Sequence, residues 1–93
     1  MHVLLIKFSL QIPYSRSLKD KRSQVKSLKD RLSNRFNASV AEIDALDNRQ
    51  LAVIGVCMLS NDKPYLEQQY SLLETMVLEY KQLELINVTR EWL

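Results

Sequence analysis

The chain is poor in the residues from which most small-protein sites are built. It has one histidine, one cysteine, one glycine and two prolines in 93 residues. A lone cysteine excludes an internal disulfide. His2 lies at a terminus and Cys57 within a predicted strand, so neither a metal cluster nor a Cys/His nucleophilic couple is expected. Gly55 stands alone in an apolar segment, which excludes a glycine-rich phosphate loop. We expect no metal, no cofactor and no catalytic residues.

Long apolar runs are also absent. Lys7 interrupts the opening run, no small-residue cleavage site follows it, and no stretch approaches the roughly 20 apolar residues that cross a bilayer. We therefore expect a cytoplasmic protein with no membrane partner. The composition, 46% apolar and 26% charged, is typical of an ordered globular protein. We expect one domain spanning residues 1–93.

Hydrophobic periodicity predicts six elements. Residues 2–12 alternate with period two, which indicates a strand, and Ser17 followed by Asp20 is a variant of the capping box that begins a helix. That helix is expected to end near Arg35. Residues 38–46 and 51–59 predict an edge strand and a central strand joined by a turn at 47–49. Residues 60–64 supply caps and a proline near the first position of a second helix, which should end near Leu83. Residues 85–92 predict a last strand, with Ile86, Val88 and Trp92 on one side.

The predicted order is βαββαβ, which favours an α+β, ferredoxin-like sandwich. This fold has a four-stranded antiparallel sheet with both helices on one face. We expect the first and third strands to be central and parallel. The third strand is apolar on both parities, so the open face of the sheet should meet something. We expect a homodimer formed through that face.

Positive charge is concentrated on the first helix. Eight of the thirteen Lys and Arg residues lie between Arg16 and Arg35, with only Asp20 and Asp30 as acids there. At 100° per residue, four of these cations form a band about 80° wide beside the apolar face. We call it the basic stripe: Lys19, Arg22, Lys26 and Lys29. Its three- and four-residue spacing suits contacts to successive phosphates. The same pattern also fits a solvated face whose basic stems cover the rim of the core.

Lys21 differs from the other cations because its helical position lies within the apolar sector. It must either extend past the helix end or meet a carboxylate, for which Glu42 and Asp44 on the edge strand are the candidates. A structural ion pair is favoured over an anion-binding role. Both remain open.

The loop before the helix could bind an anion. Arg16 and Ser17, with Lys19, lie where free backbone N–H groups and the helix dipole favour negative charge. Acylphosphatases use a comparable first-loop cradle on a similar topology, but residues 12–16 contain no glycine and the third strand contains no asparagine. Such an enzyme is the least favoured function. The candidate nucleic-acid or anion-binding residues are therefore Arg16, Ser17, Lys19, Lys21, Arg22, Lys26 and Lys29.

Recognition of bases on the sheet is not expected. RNA-recognition domains of this topology stack bases on aromatic residues of the first and third strands. The third strand here has none, and Phe8 shares the parity of the core residues of the first strand. Nucleic acid, if bound, should therefore be held through its phosphates.

Several segments together resemble a known family. They are residues 17–22 (SLKDKR) with the basic helix, residues 35–44 (RFNASVAEID), the apolar third strand and residues 56–62 (VCMLSND). The chain resembles the small bacterial YlxP-like proteins, a family of unknown function. This resemblance implies a ferredoxin-like fold and a cytoplasmic bacterial protein, with no catalytic residues to carry over. Members often lie near genes for translation initiation and ribosome maturation, which implies a connection with RNA or the ribosome by association.

The leading hypothesis is a non-enzymatic binding module that meets RNA or the ribosome through the basic helix. The alternative is a structural or adaptor homodimer that docks an acidic protein. Both should weaken with salt, but only an RNA partner should be lost on RNase treatment.

Overall fold

The computed structural model describes residues 1–93 and has the predicted order of elements. These are β1 (His2–Gln11), α1 (Leu18–Arg35), β2 (Ser39–Asp44), β3 (Leu51–Ser60), α2 (Lys63–Glu79) and β4 (Glu84–Trp92). They form one four-stranded antiparallel sheet in the order β2-β3-β1-β4, with the two helices on one face. The predicted α+β, ferredoxin-like fold is confirmed.

The central strands are antiparallel, so the expectation that they run parallel was wrong. His2 pairs with Ser60 and Gln11 with Leu51, a register in which the two strands run in opposite directions. The reason lies in the connections. Helix α1 returns the chain to its starting end, so β2 runs the same way as β1, and the hairpin then reverses β3.

The core lies between the sheet and the helices. It contains 18 buried apolar residues. The even-numbered residues of β1, from Leu4 to Leu10, and those of β3, from Ala52 to Met58, supply its floor, as strand alternation predicts. The helices cover it with residues such as Leu28, Leu32, Leu66 and Leu73, all less than 2% exposed. This arrangement leaves the odd-numbered residues of both central strands on the open face.

Two β-bulges, one in β4 and one in β2, change which side chains point inward. Leu10 pairs with Leu85 but Ser9 with Asn87, which leaves Ile86 as the extra residue of β4. Ile86 is therefore exposed, and Leu85 joins Val88 and Trp92 against the core in its place. The prediction that Ile86 shares one side of the strand with Val88 and Trp92 was wrong, because a bulge interrupts the period of two.

The second helix ends earlier than predicted. It stops at Glu79, and the Leu83 N–H then donates to the Tyr80 carbonyl in a turn. Tyr80 and Leu83 are both buried. Their spacing imitates one more helical turn, which explains why the sequence placed the end near Leu83. At the other end Asp62 caps the helix, accepting a hydrogen bond from the Tyr65 N–H.

Candidate anion-binding surface

Helix α1 is positioned by its cap and its apolar face. The Ser17 hydroxyl accepts a hydrogen bond from the Asp20 N–H at 3.1 Å, and the Asp20 carboxylate accepts one from the Arg16 N–H at 3.2 Å. These contacts satisfy backbone donors that would otherwise be free at the helix start. Val25, Leu28 and Leu32 then bury the face that meets the sheet. The predicted start and end of this helix are confirmed.

The basic stripe lies on the shoulder of α1 that points away from α2. On the opposite flank, the Tyr80 hydroxyl donates to Ser27 at 2.8 Å and the Arg31 guanidinium lies 5.0 Å from the Tyr80 ring centre. On the stripe side, Arg22 approaches Asp47 in the loop between β2 and β3. Lys19, Arg22 and Lys26 are exposed and Lys29 is half-buried. The stripe is therefore an accessible band above the β2 edge of the molecule.

Two members of the stripe have acidic neighbours. Lys26 Nζ lies 2.8 Å from Asp30 Oδ2, a hydrogen bond that raises the pKa of the lysine. Arg22 lies 3.8 Å from Asp47, and both of these side chains are largely exposed. Exposed pairs of this kind contribute little to stability, because solvent screens them. A polyanion could therefore displace either carboxylate at small cost.

The other surface cations are not paired. Lys19, Lys29 and Arg16 take part in no ion pair of the structure, whose four ion pairs involve Lys21, Arg22, Lys26 and Arg90. Their charge is balanced only by solvent and mobile counterions. The basic stripe and Arg16 thus supply five cations, two of them weakly paired.

Lys21 is a buried structural residue. Its side chain is 0% exposed, and its ammonium lies 2.6 Å from Glu42 Oε2. It also donates to the Ala45 carbonyl at 2.8 Å and the Leu46 carbonyl at 3.2 Å. The two carbonyls accept hydrogen bonds from the ammonium, whereas Glu42 Oε2 balances its charge at close range and accepts no hydrogen bond. Of the two candidate partners, Glu42 is the one that pairs with Lys21, and burial keeps the ammonium away from an external anion.

Asp44 does not join this contact. A bulge between Glu42 and Asp44 shifts the register against β3, so the two carboxylates do not share a face as strand alternation implied. Glu42 turns inward to Lys21, whereas Asp44 accepts a hydrogen bond from the neighbouring Ala45 N–H at 2.7 Å. Ala45 itself has a φ of 56°. The two carbonyls that Lys21 meets therefore lie in a sharply turning segment that carries no glycine signal.

Part of the hydrogen-bonding capacity of the loop before α1 is used within the chain. Asp20 already occupies the Arg16 N–H, and the Ser17 hydroxyl already accepts from Asp20. A cavity of about 250 Å³ beside this loop is lined by side chains such as Asp20, Ser23, Gln24 and Gln82, with no Lys or Arg among its lining residues. Arg16 itself is exposed beside it. Arg16 is thus available to an anion as a surface charge, whereas its own N–H is already bonded to Asp20.

Sequence reasoning missed the counterions of the stripe. The Lys26–Asp30 pair could have been found, since the two residues are four apart on one helix. The Arg22–Asp47 approach had no sequence signal, because it joins α1 to a loop 25 residues later. The same is true of the Ala45 and Leu46 carbonyls around Lys21.

Other kinds of site find little support in the side chains. Phe8 is fully buried, as predicted. No three His, Cys, Asp or Glu side chains lie together in a group that could hold a metal ion. None of the helices combines the length and the apolar character required to cross a membrane.

Comparison with known proteins supports the resemblance found in the sequence. A family model described as "Protein of unknown function (DUF503)" matches residues 3–90. The chain is also 28% identical over 76 residues to "Uncharacterized protein YlxP" of Bacillus subtilis (strain 168). That match spans 82% of this chain and 83% of the relative. The predicted resemblance to YlxP-like proteins is confirmed.

Proposed function

Because this chain belongs to the DUF503 family, described only as being of unknown function, we propose its role from its own surface: a non-enzymatic module that binds RNA, on the ribosome or free, through the basic stripe and Arg16. The observation that carries this proposal is the placement of the stripe. Its four cations lie on one accessible shoulder of α1, and the acids that pair with two of them are exposed. The proposal presupposes a cytoplasmic location.

The dimensions of the stripe suit a phosphate backbone. Lys19 and Lys29 are ten residues apart on one helix, which separates them by about 15 Å along its axis. Long side chains at intervals of three and four residues can then reach several phosphates along one edge of a nucleic-acid helix. Arg16 extends this line past the start of α1.

Binding at this surface should be strongly dependent on salt. Each phosphate contact releases condensed counterions, and the affinity falls with a slope of about −0.7 to −0.9 per contact on logarithmic axes. Four contacts predict a loss of roughly 50- to 150-fold between 50 and 200 mM salt. Sequence discrimination should be small, because the open face of the sheet presents no aromatic residue for base stacking.

An acidic protein surface is the rival partner. It would meet the same cations, and its binding would also weaken with salt. RNase treatment separates the two, since an RNA partner would be lost and a protein partner retained.

We predict that a variant with Lys19, Arg22, Lys26 and Lys29 all changed to Glu loses RNA binding while keeping its fold. All four positions flank the core and none belongs to its buried cluster. The measurement is co-sedimentation of both proteins with ribosomes and with bulk RNA over a salt series, with and without RNase. Circular dichroism checks that the variant remains folded.

A matched pair of double variants tests whether RNA binding depends on where the positive charges lie or only on the net charge of the protein. Lys19→Glu with Lys29→Glu removes the two unpaired members of the stripe. Lys63→Glu with Lys81→Glu makes the same charge change on exposed residues elsewhere. The first should bind RNA much more weakly than the second. Equal losses would mean that only overall charge matters, and native protein that fails to sediment with RNA at low salt would reject the proposal.

A further inference from the structure

The open face of the sheet carries an apolar area that no part of the chain covers. The odd-numbered residues of β1 and β3 lie on it, together with Ile43, the extra residue of β2. Ile43 lies across Gly55, where a Cβ would come within 3.1 Å of it. Leu59 is 65% exposed, Ile43 44% and Leu51 39%. Leu5, Val53 and Cys57 are half-buried between them. A row of apolar residues across three strands is unusual on a surface that meets only water.

This face also carries an unpaired cation and an unpaired acid. Lys7 is the only Lys or Arg among its strand residues, and it pairs in register with Gly55 on β3 and Thr89 on β4. Glu91 lies one step diagonally from it on β4, opposite Leu5. Neither residue takes part in an ion pair or a side-chain hydrogen bond within the chain. They are therefore free to meet opposite charges on another molecule.

We propose that the partner of this face is a second copy of the chain, packed sheet against sheet about a two-fold axis that crosses the strands at the level of Ile6 and Val56. A two-fold axis pairs residue i of one copy with j of the other and j with i. This axis brings Lys7 of each copy over the partner's Leu5, beside the partner's Glu91. It makes two equivalent ion pairs from groups that each copy leaves unused.

The same axis matches the apolar residues of β3 with one another. Val53 lies three residues to one side of Val56 along β3, and Leu59 lies three residues to the other side. The rotation therefore places Val53 of each copy against Leu59 of the other copy. A hollow of about 260 Å³, lined by Leu5, Lys7, Thr89, Arg90 and Glu91, lies where the partner's Lys7 arrives. The hollow can therefore accept that side chain.

The available area is enough for a small dimer. Four strands about 4.8 Å apart, paired over about eight residues of 3.3 Å each, give a footprint of roughly 500 Å² per copy. Two copies then bury about 1,000 Å², the lower bound for a specific interface. A nucleic acid is a poor occupant by comparison, because this face offers one lysine and no aromatic residue.

Charge reversal tests the pairing directly. Lys7→Glu alone and Glu91→Lys alone each place like charges together at two equivalent positions, and each should raise the dimer dissociation constant at least about tenfold. The double variant, with both changes, restores opposite charges and should return the dissociation constant to near its native value. Sedimentation-velocity ultracentrifugation over a protein concentration series measures all four proteins. Circular dichroism confirms that each is folded.

Lys81→Glu is the matched control, because it makes the same charge change on an exposed residue away from the sheet. Its dissociation constant should equal that of the native protein. Native protein that sediments as a 10.9 kDa monomer at every concentration would overturn the proposal. A dimer that tolerates both single reversals would overturn it as well, by placing the interface elsewhere. RNA binding is measured separately, so either proposal can fail without the other.

Discussion

At the scale of single residues, Lys21 shows how a basic helix can contain a cation that is not part of its charged surface. Its neighbours Lys19 and Arg22 are exposed, whereas Lys21 is sealed from solvent against Glu42 and two carbonyl oxygens. A buried ammonium is stable only when its donors are occupied. This contact fastens the loop after β2 to the first turns of α1.

We predict that Lys21→Met destabilises the protein by about 3 kcal/mol or more, because removing one partner of a buried pair leaves the other uncompensated. Changing Glu42→Leu in the same chain should recover part of that loss, since two apolar groups can replace a buried pair. Urea denaturation followed by circular dichroism measures the free energy of unfolding.

Lys19→Met is the control for that experiment, because it removes an exposed lysine from the same helix. It should change the free energy of unfolding by no more than about 0.5 kcal/mol. A similar small change for Lys21→Met would show that the buried pair contributes little.

At the scale of elements, α1 combines two tasks on different faces. One face packs Val25, Leu28 and Leu32 on the sheet, and the adjoining shoulder carries the basic stripe. The cap at Ser17 fixes where the helix begins and therefore which side chains fall on each face. Removing the cap should therefore destabilise the first turn of α1 without changing the charge of the basic stripe.

We predict that Ser17→Ala lowers the free energy of unfolding by about 1 kcal/mol, because the Asp20 N–H loses the hydroxyl that accepts its hydrogen bond. Ser33→Ala is the comparison, an exposed serine of the same helix whose side chain makes no hydrogen bond. It should be neutral or slightly stabilising, since alanine favours a helix more than serine does. Thermal and urea unfolding measure both variants. Equal effects would contradict a capping role for Ser17.

At the scale of the whole molecule, the two proposed surfaces lie on opposite sides. The helices cover one face of the sheet, and the dimer contact would use the other. A dimer of this form presents one basic stripe on each of its outer sides. It could contact two separate segments of one long RNA, which raises the overall affinity without any new contact.

We predict that Lys7→Glu weakens binding to a long structured RNA by at least about tenfold, through loss of this avidity. Binding to a short oligonucleotide that fits one stripe should change no more than it does in Lys81→Glu, which carries the same net charge. Fluorescence anisotropy with labelled RNAs of both lengths measures the effect. The double variant Lys7→Glu with Glu91→Lys should recover binding to the long RNA. An equal loss on both RNAs would place Lys7 in direct contact with the nucleic acid instead.

Much of the fold and part of the candidate site could be predicted from local pattern. Strand alternation identified the buried residues of β1, the Ser17 and Asp20 pair marked the start of α1, and the helical period separated Lys21 from the basic stripe. These signals depend on neighbours a few residues apart, so the sequence contains them fully.

Tertiary structure alone decided the features that depend on register and on contacts between distant segments. The bulges at Ile43 and Ile86 shift strand pairing by one residue and reverse which side chains point inward, yet no glycine or proline marks either position. Whether Lys21 meets Glu42 or Asp44 followed from the first of these bulges. The antiparallel direction of the central strands followed from how the connections return the chain. Composition and periodicity thus determined which elements form and where the positive charge lies, whereas the pairing of strands determined which of those charges remain available to a partner.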